Sequence, residues 1–189
     1  MKKKIAISVG CLVLAGLLGC AYAPDDDSYE FGYPIRESPR YALVPNTRWT
    51  GLHYSIDNVF GPTSDLWIFL DSHRILFTRR PLGAERPTVN HDHVATADEW
   101  RWIAGQLEKA EVARWKKSYE PDGVEIFDGV GWTLEFLDGT NVVGKADGDN
   151  AWPKNFKDFQ AILDVFGVEW RGSCFVSPKA AEEKDTEHR

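Results

Sequence analysis

Two imidazoles and a carboxylate stand together at His91-Asp92-His93, the densest set of metal-type ligands in the chain. Joined by His53, His73 or a further carboxylate, they could hold zinc or copper, which take imidazole nitrogen and carboxylate oxygen. On a strand the two rings would share a face. The segment lies between Pro87 and the cap-type residue Thr96, however, and reads as a solvated polar loop, so neither a metal nor a cofactor is expected. Asp147, Asp149 and Asn150 offer oxygens for calcium, but the D-x-D-x-D-G order with a terminal glutamate is missing, and an Asp/Gly turn is expected there instead. Glu125 and Glu135 fall on neighbouring expected strands, where converging carboxylates could do acid–base work. Both lie opposite the apolar residues Phe127, Trp132 and Phe136, the position of a sheet's wet side. No G-x-S-x-G elbow, phosphate loop or H-E-x-x-H pair occurs, so the chain reads as non-enzymatic.

Eight tryptophans raise a different chemistry, because an exposed indole can stack on a sugar face. Trp100 and Trp102 are two apart on an expected helix, about 200° around its axis, so both cannot face one core. Trp102 is the candidate contact surface, with Asn150 and Trp152 as further candidate ligand contacts.

The elements that would carry these residues follow from periodicity. Leu52, Tyr54 and Ile56 alternate with polar partners, and Leu66–Leu70 and Ile75–Thr78 flank Asp71-Ser72-His73, which predicts three strands, the last two a hairpin. Thr96-Ala97-Asp98-Glu99 has the capping-box pattern, and Trp100, Ile103, Ala104, Leu107 and Ala110 continue it as a helical stripe. Strands at Val124–Phe127, Val130–Leu137 and Val142–Ala146 follow, turned at Asp128-Gly129 and Asp138-Gly139. A second helix opens after Pro153, with Asn155 and Asp158 as caps and Phe156, Phe159, Leu163 and Phe166 on one face, and Gly167 ends it. Val168–Val176 reads as a closing strand. Strands followed by a helix, twice over, predict an α+β domain: an antiparallel sheet of about six strands with two helices on one face. Residues 46–177 form this single domain in that reading, preceded by a Pro- and Asp-rich tether over 20–45 and followed by a charged, disordered tail over 178–189.

At the other end, Lys2–Lys4 precede an uncharged apolar run from Ile5 to Leu18, the pattern of an export signal. That run is shorter than the roughly 20 residues a spanning helix needs. It ends at Leu17-Leu18-Gly19-Cys20, which resembles the lipobox of bacterial lipoprotein precursors. The resemblance implies that residues 1–19 are a signal peptide and that Cys20 becomes a lipidated N-terminus, holding the protein to a membrane through acyl chains such as palmitate. It also implies a place in the cell envelope and periplasm. Ala21 is not the aspartate that retains such proteins at an inner membrane, so the outer membrane is favoured in a two-membrane organism. The rival cleavage site, Ala21-Tyr22-Ala23, is followed by Pro24, a poor residue beside a scissile bond.

Removing residues 1–19 takes Lys+Arg from 22 to 19 against 29 acidic residues, a formal charge of −10 in place of −7. Such a body is a poor partner for nucleic acid. Of three cysteines only Cys174 then remains unmodified in the body, so no internal disulfide can form, and its run Cys174-Phe175-Val176 reads as a buried thiol.

Within the body, Asp128-Gly129, Trp132 and Leu134, then Gly148, Asn150-Ala151, Pro153 and Asn155-Phe156, resemble a group of uncharacterised bacterial proteins sharing D-G-x-x-W-x-L and G-x-N-A-x-P-x-N-F. That resemblance implies a shared strand–turn–helix joint and carries no activity. The reading that emerges is an envelope lipoprotein with an interaction module of unknown partner. A cell-wall glycan binder or hydrolase is one alternative, and a metal-handling lipoprotein using His91 and His93 is another.

Overall fold

The computed structural model describes residues 33–59, 61–126, 129–170 and 176–178. Cys20, Cys174 and the tail beyond Pro178 lie outside them.

Alternation builds the sheet. In β2 (Gly51–Asn58) Leu52, Tyr54 and Ile56 are buried, and in β3 (Thr63–Phe69) so are Ser64, Leu66 and Ile68. β4 (Arg74–Arg80) adds Ile75 and Phe77, and β8 (Val130–Asp138) adds Val130, Trp132, Leu134 and Phe136. These apolar sets share one face because antiparallel registers pair Tyr54 with both Leu66 and Leu134. A one-residue slip would turn each set into water, so burial fixes the register.

The remaining strands are β1 (Ile35–Glu37), β5 (Thr88–Val94), β6 (Ser118–Pro121) and β9 (Asn141–Asp149). The order is β1-β6-β9-β8-β2-β3-β4-β5, antiparallel throughout except for the parallel pair β6–β9. The domain is mixed α+β as expected, but the sheet has eight strands, not about six. The three additions are β1, β5 and β6, which are short or polar and lack an apolar alternation. Conversely β7 (Val124–Ile126) does not join β8; it pairs with β10 (Val176–Pro178) in a separate two-stranded ribbon. Of the expected closing strand over Val168–Val176, Val168–Trp170 has no regular structure and only Val176 falls in a strand, β10. Pro178, assigned to the tail, is part of this strand.

The tether boundary moves as well. Within 20–45, β1 pairs with β6, Tyr41 and Leu43 bridge to Lys116 and Gly144, and Tyr33, Ala42 and Leu43 are buried. The folded body begins by Tyr33, at least 13 residues before the expected start at 46.

Helix α1 (Ala97–Lys109) starts at the expected capping box: Thr96 Oγ1 accepts from the Glu99 amide and Glu99 Oε2 accepts from the Thr96 amide. A 3₁₀ turn, Val112–Arg114, follows. Helix α2 (Phe156–Phe166) ends at Gly167 in the left-handed region (φ 72°), with the Val168 amide donating back to Leu163. Buried residues of both helices join those of the strands in one cluster, in which Phe159 lies edge-on to Tyr54 and Trp115.

Candidate functional site

The H-x-H segment is not a loop. His91, Asp92 and His93 lie within β5, paired with Phe77, Leu76 and Ile75 of β4. The two rings do share a face, with centroids 6.4 Å apart and both near Phe166, while Asp92 points the other way into a bidentate pair with Arg74. That guanidinium holds the Asp92 carboxyl below its usual range. His93 Nε2 meets Glu99 Oε1 at 2.9 Å, so the capping glutamate also ties β5 to α1. Among the described residues no three His, Cys, Asp or Glu side chains converge as a metal cluster. His53 and His73 lie elsewhere: His73 caps the β3–β4 turn at φ 53° and stacks on Trp100.

The residues offered as ligand contacts all make contacts within the protein. Asn150 is 4% exposed and sits at φ 50°; its backbone N–H donates to the Val130 carbonyl, its side-chain Oδ1 accepts from the Val130 N–H, its side-chain NH₂ donates to Asp149, and its backbone carbonyl accepts from the Tyr33 hydroxyl. Burial and the neighbouring Glu120 raise the Asp149 pKa. Trp152 is buried against Phe156 and Trp170. Asn155 does not cap α2 by its side chain; its Nδ2 reaches back and donates to the Ala110 carbonyl at the end of α1. Trp102 is half-buried and packs against the core. Of the helix pair it is Trp100 that lines an open hollow. The calcium-type residues Asp147 and Asp149 are on β9, not in a turn, and Glu125, on β7, is not beside the strand of Glu135.

Two hollows meet beside α1. One, of about 430 Å³, is walled by Trp49, Leu70, Trp100, Ala104, Leu107 and Val112, with Glu108, Glu111 and Arg114 at its rim. The other, of about 420 Å³, runs under the 41–47 arm, and the two share Trp49, Ala113 and Arg114. Their volumes fall in the range typical of ligand pockets, and their linings are apolar with a few polar groups. The wall exists because α1 stops at Ala110 and Glu111 turns the chain at φ 46°, which brings Val112–Arg114 alongside the helix. Arg114 is paired with Glu111 at 2.9 Å, whereas Glu108 has no ion pair among the described residues. The sequence pointed here only through Trp100, Ala104 and Leu107, which the helical stripe placed in the core although Ala104 is exposed, since the distant contributions of Trp49 and Leu70 depend on the strand order.

The opposite, helix-free face of the sheet carries a cluster that sequence reasoning left scattered. His53 Nδ1 lies 3.1 Å from Glu135 Oε2 and Nε2 lies 3.0 Å from Asp65 Oδ1, bridging β8, β2 and β3. The ring stacks on Trp67, with centroids 4.4 Å apart and planes 2° from parallel. Burial pulls the His53 pKa down, but hydrogen bonds to Asp65 and Glu135 and their negative charges outweigh it, leaving the pKa above its ordinary 6.5. With both ring nitrogens engaged, this histidine has no lone pair to spare for activating a nucleophile. The available signal was alternation: His53 lies between buried Leu52 and Tyr54, and Asp65 and Glu135 hold the same outward parity.

Comparison of the chain with protein-family models, curated proteins and solved structures returns no match. Among the described residues no helix is long and apolar enough to cross a membrane.

Proposed function

We propose that the chain is an envelope lipoprotein, anchored through acyl chains on Cys20, whose body is a non-enzymatic binding module. Its ligand is an apolar, basic-flanked peptide segment of an envelope partner, seated in the double hollow beside α1. The observation that carries this reading is that two apolar hollows lie side by side, with Trp49, Ala113 and Arg114 lining both. A helix presenting apolar anchors one or two turns apart is the kind of object such a groove takes. Charge favours a basic flank, because Glu108 stands unpaired at the rim of an acidic body. The glycan and metal readings have less to support them: the indole of Trp152 is buried, and His93 is already engaged by Glu99.

The test places a photo-crosslinking residue at Ala104, an exposed position in the groove wall, and at Thr133 on the opposite face, in intact cells. The expected result is an adduct from Ala104 alone, mapped by mass spectrometry to a peptide with apolar residues at helical spacing and flanking Lys or Arg. Adducts with lipid or glycan, or adducts from Thr133 alone, would overturn it.

A further inference from the structure

The geometry of the His53 cluster favours one arrangement of protons. Carboxylate oxygens only accept, and a neutral imidazole has a single N–H. With both acids ionised, contacts of 3.1 Å to Glu135 and 3.0 Å to Asp65 at the two ring nitrogens call for an N–H on each, which is the imidazolium form. Once one proton is lost, a nitrogen lone pair faces a carboxylate, and one of the two acids must let go.

Asp65 is the one with somewhere to go. It borders a polar pocket of about 270 Å³ formed with Ser55, Asp57, Thr63, Arg80 and Pro87. The register pairs Thr63 with Arg80 and Asp65 with Thr78, so Asp65 and Arg80 are diagonal cross-strand neighbours, about 7–8 Å apart at the backbone and within reach of an arginine side chain. Arg80 donates from Nε to Thr63 Oγ1 at 3.2 Å and has no carboxylate partner among the described residues. Glu135 is opposite Lys145 of β9, which favours its staying in place. The other charged groups on this side are Asp57, along β2 and the rival for Arg80; Asp147 and Asp149, opposite Thr133 and Gly131; and Arg74 and Asp92, which are spent on each other.

We propose that Asp65 is the moving carboxylate of a proton-operated switch: it holds Nε2 of the doubly protonated His53 and, when that nitrogen gives its proton to solvent, crosses the pocket to the guanidinium of Arg80. Glu135 keeps the remaining N–H at Nδ1. The cluster of three then carries one more negative charge and the polar pocket closes over an Asp65–Arg80 pair. The raised His53 pKa is consistent with this preference for the protonated form.

The test is a titration of the histidine ring nitrogens by ¹⁵N NMR on the full-length chain in detergent micelles. In the wild type, His53 should carry protons on both nitrogens at pH 6, titrate with a midpoint above 6.5 and retain its proton on Nδ1 afterwards. A neutral ring at pH 6, or a proton left on Nε2 at high pH, would overturn the proposal. Arg80→Gln should raise the midpoint, because the deprotonated state loses its new ion pair, and the same substitution in an Asp65→Asn background should not. Equal shifts in both backgrounds would reduce Arg80 to a nearby charge and refute the handover.

Discussion

Gly148 offers a sharp test of how the strand–turn–helix joint is built. A methyl group at this position would run into Nε1 of Trp132 and the carbonyl oxygen of Ala151, well inside the 3.0 Å that real Cβ atoms keep. Those two atoms are each other's partners: the buried indole donates to that carbonyl at 2.8 Å. Gly148→Ala must therefore part a buried hydrogen bond or push β9 away from the Ala151 turn. Leaving a buried donor and acceptor unmet costs about 1–3 kcal/mol, and overpacking a filled core costs about 1–3 kcal/mol more. The sum centres on about 4 kcal/mol, which for a domain of this size lowers Tm by about 8–16 °C. Gly131, on the adjoining strand of the same hairpin, is the control, since a Cβ there meets nothing within 4 Å. Gly131→Ala should be neutral or stabilising by up to about 1 kcal/mol. Denaturant midpoints of the two variants, read by tryptophan fluorescence, make the comparison. If Gly148→Ala unfolds within 0.5 kcal/mol (about the scatter of a surface substitution) of the wild type, the indole–carbonyl lock is not what requires glycine.

Phe156→Ala, at the buried start of α2, should cost about 3–5 kcal/mol, whereas Asn155→Ala should cost about 1–3 kcal/mol through the unmet Ala110 carbonyl; denaturant midpoints rank them, and equal values would contradict the assignment. For His53 the folded pKa lies above the unfolded value, so its stabilisation is complete below about pH 6.5 and is lost as pH rises through the folded pKa. The stability difference between wild type and His53→Gln should accordingly shrink from pH 6 to pH 9, and a difference that grows would refute the cluster's protonated state. Zinc at saturating concentration should leave the midpoint unchanged, because a site filled at 100 times its Kd would add about 2.7 kcal/mol; a rise abolished by His91→Ala/His93→Ala would restore the metal reading. Cys20→Ser should leave the chain unprocessed and free of labelled fatty acid in cells, and normal acylation of that variant would remove the anchor.

Local patterns were legible wherever one signal sufficed. Alternation located β2, β3, β4 and β8, Thr96 and Glu99 marked the start of α1, and Gly167 marked the end of α2. What failed was whatever depended on a partner distant in sequence. β5 reads as polar because it is an edge strand at the end of the sheet, so its outward residues need not be apolar, and the histidines on it looked like a loop. β1 is held by β6 across 84 residues, and nothing in Ile35–Glu37 announces this. Asn155 has the residue type of a cap, yet its amide found a carbonyl 45 residues away. The His53 cluster needed two registers at once, β2–β3 and β2–β8, before three half-exposed side chains became one group.

The groove and the shared motif are linked through a single carbonyl. Ala110 closes α1, and its oxygen receives Nε1 of Trp115 at 2.8 Å from one side and Nδ2 of Asn155 from the other. The first contact folds the Val112–Arg114 turn back onto the helix end; the second pins that end to the start of α2. Between them Glu111 is held at φ 46°, a left-handed conformation that disfavours a side chain by about 1–2 kcal/mol. A glycine would relieve that strain, but it would lose the carboxylate that pairs with Arg114 at the junction of the two hollows. The wall of the groove is thus fixed by core tryptophan, by the motif asparagine and by a strained turn whose side chain faces the rim. A motif whose Trp132, Asn150 and Asn155 side chains all bond within the protein can in this way still shape a binding surface without lining it.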